Sequence, residues 1–146
     1  MKYCLQEGEL TCDSEWSDQS MQILVPDRTP IEGSNLVIMR SRLAAGESFE
    51  SYIAKQRSSI LKMKASKILS ESSDKIDGRE GHFFDLTWVN EGKVLHQTMT
   101  ALLHDGDRIL TFTSTIPGSA DEKTKRRILD AVSTFKFAKP ADKPAA

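Results

Sequence analysis

Three histidines, two cysteines and a scatter of carboxylates are the residues of this 146-residue chain that could move protons, attack a carbonyl or hold a metal. Their spacing supports none of these tasks. His96 and His104 fall on one face of an extended segment, eight residues apart, which is roughly 27 Å of strand and too far to share an ion. His82 opens a different segment, and each of the three reads as a surface or edge histidine. Nucleophilic catalysis needs a base beside the nucleophile, and the chain has no GxSxG, HExxH, GxxxxGK[ST] or GxGxxG pattern. Asp105 and Asp107 flank Gly106, and Asp74, Asp77 and Glu80 surround Gly78, which is turn chemistry without calcium-loop spacing. Asp85 stands among aromatics and reads as the solvated face of a strand or a partner of Lys93 across a turn. Cys4 and Cys12 flank Gly8 symmetrically and could face each other across a hairpin, though two cysteines cannot make a zinc site. No enzyme, metal or cofactor is expected.

Bulk properties narrow the partners. A formal net charge of −1 and a pI near 6.3 argue against a nucleic-acid binder. The basic run Lys123, Lys125, Arg126, Arg127 reads as the solvated face of a helix. No stretch approaches the roughly 20 apolar residues that span a bilayer. The opening MKYCLQEGEL has no apolar core of a signal peptide. A cytoplasmic protein without direct membrane insertion is the expectation, and both cysteines then read as thiols.

The informative residues are two glutamines. Apolar residues recur at Phe49, Ile53, Ile60 and Met63, a stripe along one helix face with Gln56 at its centre. The run Leu95, Gln97, Met99, Ala101, Leu103 reads as one strand face with Gln97 in an apolar row. An unpaired buried amide costs about 1–3 kcal/mol, so an internal group, a water or a ligand must satisfy each. The methionines Met21, Met39, Met63 and Met99 adapt to varied apolar partners. Together with the glutamines they suggest an apolar groove with a few amide contacts. Trp16 and Trp88 read as core or rim packing.

These residues need elements to position them. Leu5 and Leu10 flank a turn at Glu7-Gly8-Glu9, and Met21, Ile23 and Val25 alternate before Pro26 and Asp27. Asn35 to Arg40 reads as a short strand suited to burial on both faces. Ser48 is a candidate N-cap for a helix to about Met63. Four strands follow, Lys67 to Asp77, Glu80 to Val89, Val94 to Leu103 and Ile109 to Thr115, separated by Asp77-Gly78, Asn90-Glu91-Gly92 and Asp105-Gly106. Ser119 and Glu122 have capping-box spacing for a last helix to about Thr134, docked by Phe135 and Phe137. The expectation is an α+β domain over residues 1–138, a curved antiparallel sheet with one inserted helix and one C-terminal helix, and a disordered tail over 139–146. With both helices on one sheet face, the other apolar face would need a partner, a second copy or a ligand.

The run Trp16-Ser17-Asp18-Gln19-Ser20-Met21-Gln22-Ile23 resembles the W-x-D-Q-S-apolar-x-apolar opening of the Eag chaperones of type VI secretion, a group of DcrB-like proteins. Phe49-x-x-Tyr52-Ile53-Ala54-x-Gln56 resembles their helix. Asp85-Leu86-x-Trp88-x-x-Glu91-Gly92, followed by Gln97, resembles their central hairpin. The resemblance covers roughly residues 3–137 and implies a DcrB-like fold. It implies a chaperone that shields the N-terminal transmembrane segments of a PAAR-containing effector, as a homodimer, before loading on the secretion spike. By the family pattern Met21 and Ile23 would line the groove, and Gln56 and Gln97 would hydrogen-bond the client. Ile38 and Met99 complete the candidate client-binding set. The family usually has a β-branched residue where Met21 stands. The alternative is a carrier of a small apolar ligand on the same sheet face, which would enclose a pocket of about 300–1,000 Å³.

Overall fold

Asp77-Gly78 and Glu91-Gly92 are two-residue turns with positive φ at both positions, 50° and 73° in the first and 51° and 78° in the second. This geometry matches the right-handed twist of the strands it joins and explains the glycines. In the computed structural model, whose described residues are 1–26, 33–118 and 122–139, these turns link β5 (Lys67–Ile76), β6 (Arg79–Asn90) and β7 (Lys93–His104). A three-residue connection leads on to β8 (Arg108–Pro117). β3 (Gln22–Leu24) and β4 (Asn35–Arg42) complete an antiparallel six-stranded sheet of order β3-β4-β8-β7-β6-β5. A separate hairpin pairs β1 (Lys2–Cys4) with β2 (Glu9–Thr11). The helices are α1 (Phe49–Leu61), between β4 and β5, and α2 (Glu122–Ser133), after the sheet. The architecture is the α+β fold with an inserted and a terminal helix. The cap Ser119 and residues 140–146 of the tail lie outside the described residues.

Ser48 caps α1, its side chain accepting from the Ser51 amide. Phe49, Ile53 and Ile60 then pack on Phe84, Leu86, Ala101 and Ile109. α2 turns Ile128 and Val132 onto Leu36, Leu102, Leu110, Phe112 and Ile116. Successive strand residues point to opposite faces, so Ala101 and Leu102 assign the two helices to opposite faces of β7. This corrects the expectation that both helices cover one face. Exposed apolar surface remains on the α1 face at Ile23 and Met39, and on the α2 face at Leu24. β4 is also less buried than its sequence suggests, because its second half, from Met39 onward, is exposed.

The α2 face carries the polar surprise. Asp85 is 8% exposed. One carboxylate oxygen bonds His96 Nε2 and the other accepts from Lys125 Nζ of α2 at 2.7 Å. Asp85 is thus neither solvated nor paired with Lys93, and His96 is a buried histidine rather than a surface one. Beside them, the buried Thr98 and Ser114 hydroxyls bond each other across β7 and β8. The hairpin register pairs Cys4 with Glu9, so Cys4 and Cys12 do not face each other, and both are free thiols.

On the α1 face an ion pair ties helix to sheet edge. Arg57 of α1 grips Glu71 of β5 through both carboxylate oxygens, at 3.0 and 3.1 Å from Nε, and His82 Nε2 lies 2.7 Å from the same carboxylate. The Arg57 hydrogen bonds, and then that of His82, hold the Glu71 carboxyl below the usual glutamate range against the opposing effect of burial. A depressed carboxyl stabilises the fold above the unfolded value, about pH 4.3, and loses that contribution as pH falls below it. Glu71→Gln should therefore cost about 0.5–1 kcal/mol at pH 7, because the 40%-exposed guanidinium is screened by water. The difference from wild type should shrink as pH falls below the unfolded value and vanish once Glu71 is protonated in the folded state as well. Urea unfolding across pH checks this, and a gap that widened in acid would contradict it.

Candidate functional site

α1 crosses its sheet face obliquely, from the Tyr52 hydroxyl 3.2 Å from Ser41 of β4 to the Arg57–Glu71 pair on β5. Away from these contacts, Ile23 of β3 and Met39 of β4 stay exposed on that face, and Thr113 and Thr115 of β8 are half-buried. The register aligns Ile23, Val37, Thr113, Met99 and Phe84 in one row across five strands. Phe84 is fully buried beneath α1, while Ile23 at the other end of the row is 59% exposed. Met21, just before β3, and Met39 of β4 are also exposed. By strand alternation they share the face of Ile23. The result is an open apolar trough walled on one side by α1.

Both glutamines reach this trough. Gln56, Met63, Gln97, Met99 and Thr113 line one cleft of about 130 Å³ between α1 and the sheet. Their amides differ in state. Gln97 Oε1 accepts from Trp88 Nε1 at 2.8 Å, and its Nε2 donates to Thr115 Oγ1 at 2.8 Å. Gln97 is satisfied within the fold and keeps one N–H and one lone pair to spare. Gln56 is half-buried, and its side-chain amide has no hydrogen bond among the described residues. The row of Gln97 and Thr115 continues to Asn35 on β4. Asn35 Oδ1 is the one buried side-chain polar atom without a partner among the described residues.

The structure thus brings Met21, Ile23, Gln56, Gln97 and Met99 to one face. Ile38 is not with them. It lies on the α2 face, packed against the Leu36–Phe112 core, because its even position alternates away from Ile23 and Met99. Trp16 is 66% exposed, outside the core.

The DcrB family model matches residues 7–134. The chain belongs to the DcrB family. Among solved structures this DcrB chain is similar to PA94, a Pseudomonas aeruginosa protein of unknown function, with 22% identity, a TM-score of 0.77 and coverage of 95% of this chain and 97% of that one. It is also similar to the PsbP protein CyanoP of Synechocystis sp. PCC 6803, at 11% identity, TM-score 0.53 and coverage of 88% and 98%. LpqN of Mycobacterium tuberculosis, involved in cell envelope biogenesis, matches at 9% identity, TM-score 0.50 and coverage of 79% and 76%. At these identities the likeness is one of fold. No curated protein matches the sequence. Among the described residues of this DcrB domain, no helix is long and apolar enough to cross a membrane, and no cluster of three or more metal-ligand side chains occurs.

Sequence reasoning missed Thr113, Thr115 and Asn35 as part of the DcrB-fold trough. Their signal was present, since threonines at 111, 113 and 115 alternate with Leu110, Phe112 and Ser114. Such a row of small β-branched polar residues marks a sheet face that is neither core nor fully wet.

Proposed function

We propose that this chain is an Eag-type chaperone that covers the N-terminal transmembrane helices of a PAAR-containing type VI secretion effector before they reach the spike. The observation that carries the proposal is the open apolar half-face beside α1, with an unpartnered Gln56 amide in its wall. The motifs at Trp16 to Ile23, Phe49 to Gln56 and Asp85 to Gln97 support it. A transmembrane helix has satisfied its own backbone and seeks apolar packing with sparse polar contacts. Met21, Ile23, Met39 and Met99 offer the packing. Gln56, with the spare capacity of Gln97, offers hydrogen bonds to serine, threonine or backbone groups of the client.

A helix has apolar surface all round, and one trough covers only one side of it. Two subunits facing each other around the client would close the rest, which supports a homodimer in the loaded state. The carrier alternative fits less well, because the cleft between α1 and this face is partly open and holds about 130 Å³, below what a small-ligand carrier needs.

The test is co-expression with the N-terminal region of a candidate effector, with and without its apolar segments, followed by co-purification and light scattering. The expected result is a soluble complex containing a chaperone dimer only when the segments are present. Gln56→Ala should weaken capture roughly 5- to 12-fold, as one hydrogen bond of about 1–1.5 kcal/mol is lost, with no change in melting temperature. Gln97→Ala is the poorer probe, because it also strips Trp88 and Thr115 of a partner. Equal capture without the apolar segments would refute the proposal.

A further inference from the structure

On the opposite face from the trough, Arg42 of β4 stands directly across from Arg108 of β8. Like charges opposed on neighbouring strands repel and destabilise. Arg40, two residues along β4 on the same side, adds a third guanidinium, which donates to Gln22 Oε1 at 2.8 Å. None of the three arginines is in an ion pair among the described residues. The one carboxylate among the residues that line the cleft they share, Asp18, is engaged by the hydroxyl and backbone amide of Ser20 and also feels the charge of Arg40, so Arg42 and Arg108 are the pair left without a carboxylate nearby in the cleft. This cleft has a volume of about 1,090 Å³, and its apolar wall is Phe112, Phe135 and Phe137. Phe112 and Phe135 meet edge to face at 5.2 Å, and Phe135 and Phe137 at 4.9 Å, so the wall is built rather than incidental. The Phe137 amide donates to Asp77 at 2.8 Å and fixes its end.

We infer that this cleft binds an extended acidic peptide segment of a partner protein, with carboxylates on alternate residues and an apolar side chain beyond them. Arg40 and Arg42 are spaced at roughly 7 Å along the strand, the repeat of side chains i and i+2 in an extended peptide. The opposed Arg42 and Arg108 guanidiniums can fork around one carboxylate, which removes their mutual repulsion. The cleft is far larger than a lone anion requires, and the phenylalanine wall accounts for the remaining length. The site is separate from the trough and does not depend on what the trough holds.

The experiment is fluorescence anisotropy with a labelled peptide containing Glu-Ser-Glu-Ser-Phe, in low salt, against wild type and Arg108→Glu. Saturable binding with a Kd on the order of 100 µM or tighter is expected, weakening as salt rises. Arg108→Glu should weaken it at least about tenfold without lowering the melting temperature, since a cross-strand Arg42–Glu pair replaces a repulsive one. Arg42→Gln, which keeps the neighbouring strand intact, should weaken it as well. Equal binding of the Gln-Ser-Gln-Ser-Phe peptide would overturn the inference. So would full displacement by inorganic phosphate at equal concentration, which marks a simple anion site, or preference for vesicles of anionic phospholipid. Absence of saturable binding by wild type overturns it directly.

Discussion

Asp85→Ala is expected to destabilise the protein by about 3–5 kcal/mol, the range for breaking a buried ion pair from one side. Asp85 accepts from both His96 and Lys125, so its loss strands two donors in a region where Asp85 and His96 are almost fully buried. Lys125 is the only one of the three that belongs to α2, so the same loss loosens that helix from the sheet. Total stability of a domain this size is about 5–15 kcal/mol, so the effect is a large fraction of the whole. Lys125→Met should cost less, because His96 still partners the carboxylate. Urea unfolding followed by circular dichroism measures the first figure, and amide exchange in residues 122–133 reads the loosening of α2. A change below about 1 kcal/mol would mean that water screens the trio and that the buried network contributes little.

Ile23→Asp is expected to cut capture of a transmembrane client roughly 60- to 300-fold. A carboxylate facing a lipid-type helix costs about 2.5–3.5 kcal/mol, and each 1.4 kcal/mol is about tenfold. Ile23 is already largely exposed in the free chain, so the fold itself should lose no more than about 0.5 kcal/mol. Leu24→Asp is the matched control. It sits next door on β3 with similar exposure but points to the other face, opposite Leu36. Capture by purified variants, with melting temperatures beside it, separates the two. Equal loss in both variants would show a general charge or folding effect, and retained capture by Ile23→Asp would place the client elsewhere.

Much of the fold was legible in the sequence. Asp77-Gly78 and Glu91-Gly92 are local signals, readable because so few residues tolerate positive φ. Ser48 announces its helix for the same kind of local reason. The glutamines stood out because an amide in an apolar row breaks a periodic pattern. What was not legible was the fate of those amides. Gln97 is held by Trp88, nine residues back, and by Thr115, eighteen residues on. No spacing rule links such partners. Asp85 misled because its partner Lys125 is forty residues away and arrives only when α2 docks.

The sequence by itself determined the elements, their order and which residues of each strand share a face, because turn chemistry and strand alternation act over a few residues. It also determined that an apolar surplus exists. Only the tertiary structure decided which helix covers which face. That choice turns Ile38 into core wall while Ile23 stays in the trough, and it makes Asp85 a buried hub. It also leaves Arg42 facing Arg108 over a cleft. Alternation defines two faces without saying what lies above either, and that is settled by long-range packing and the path of the connections.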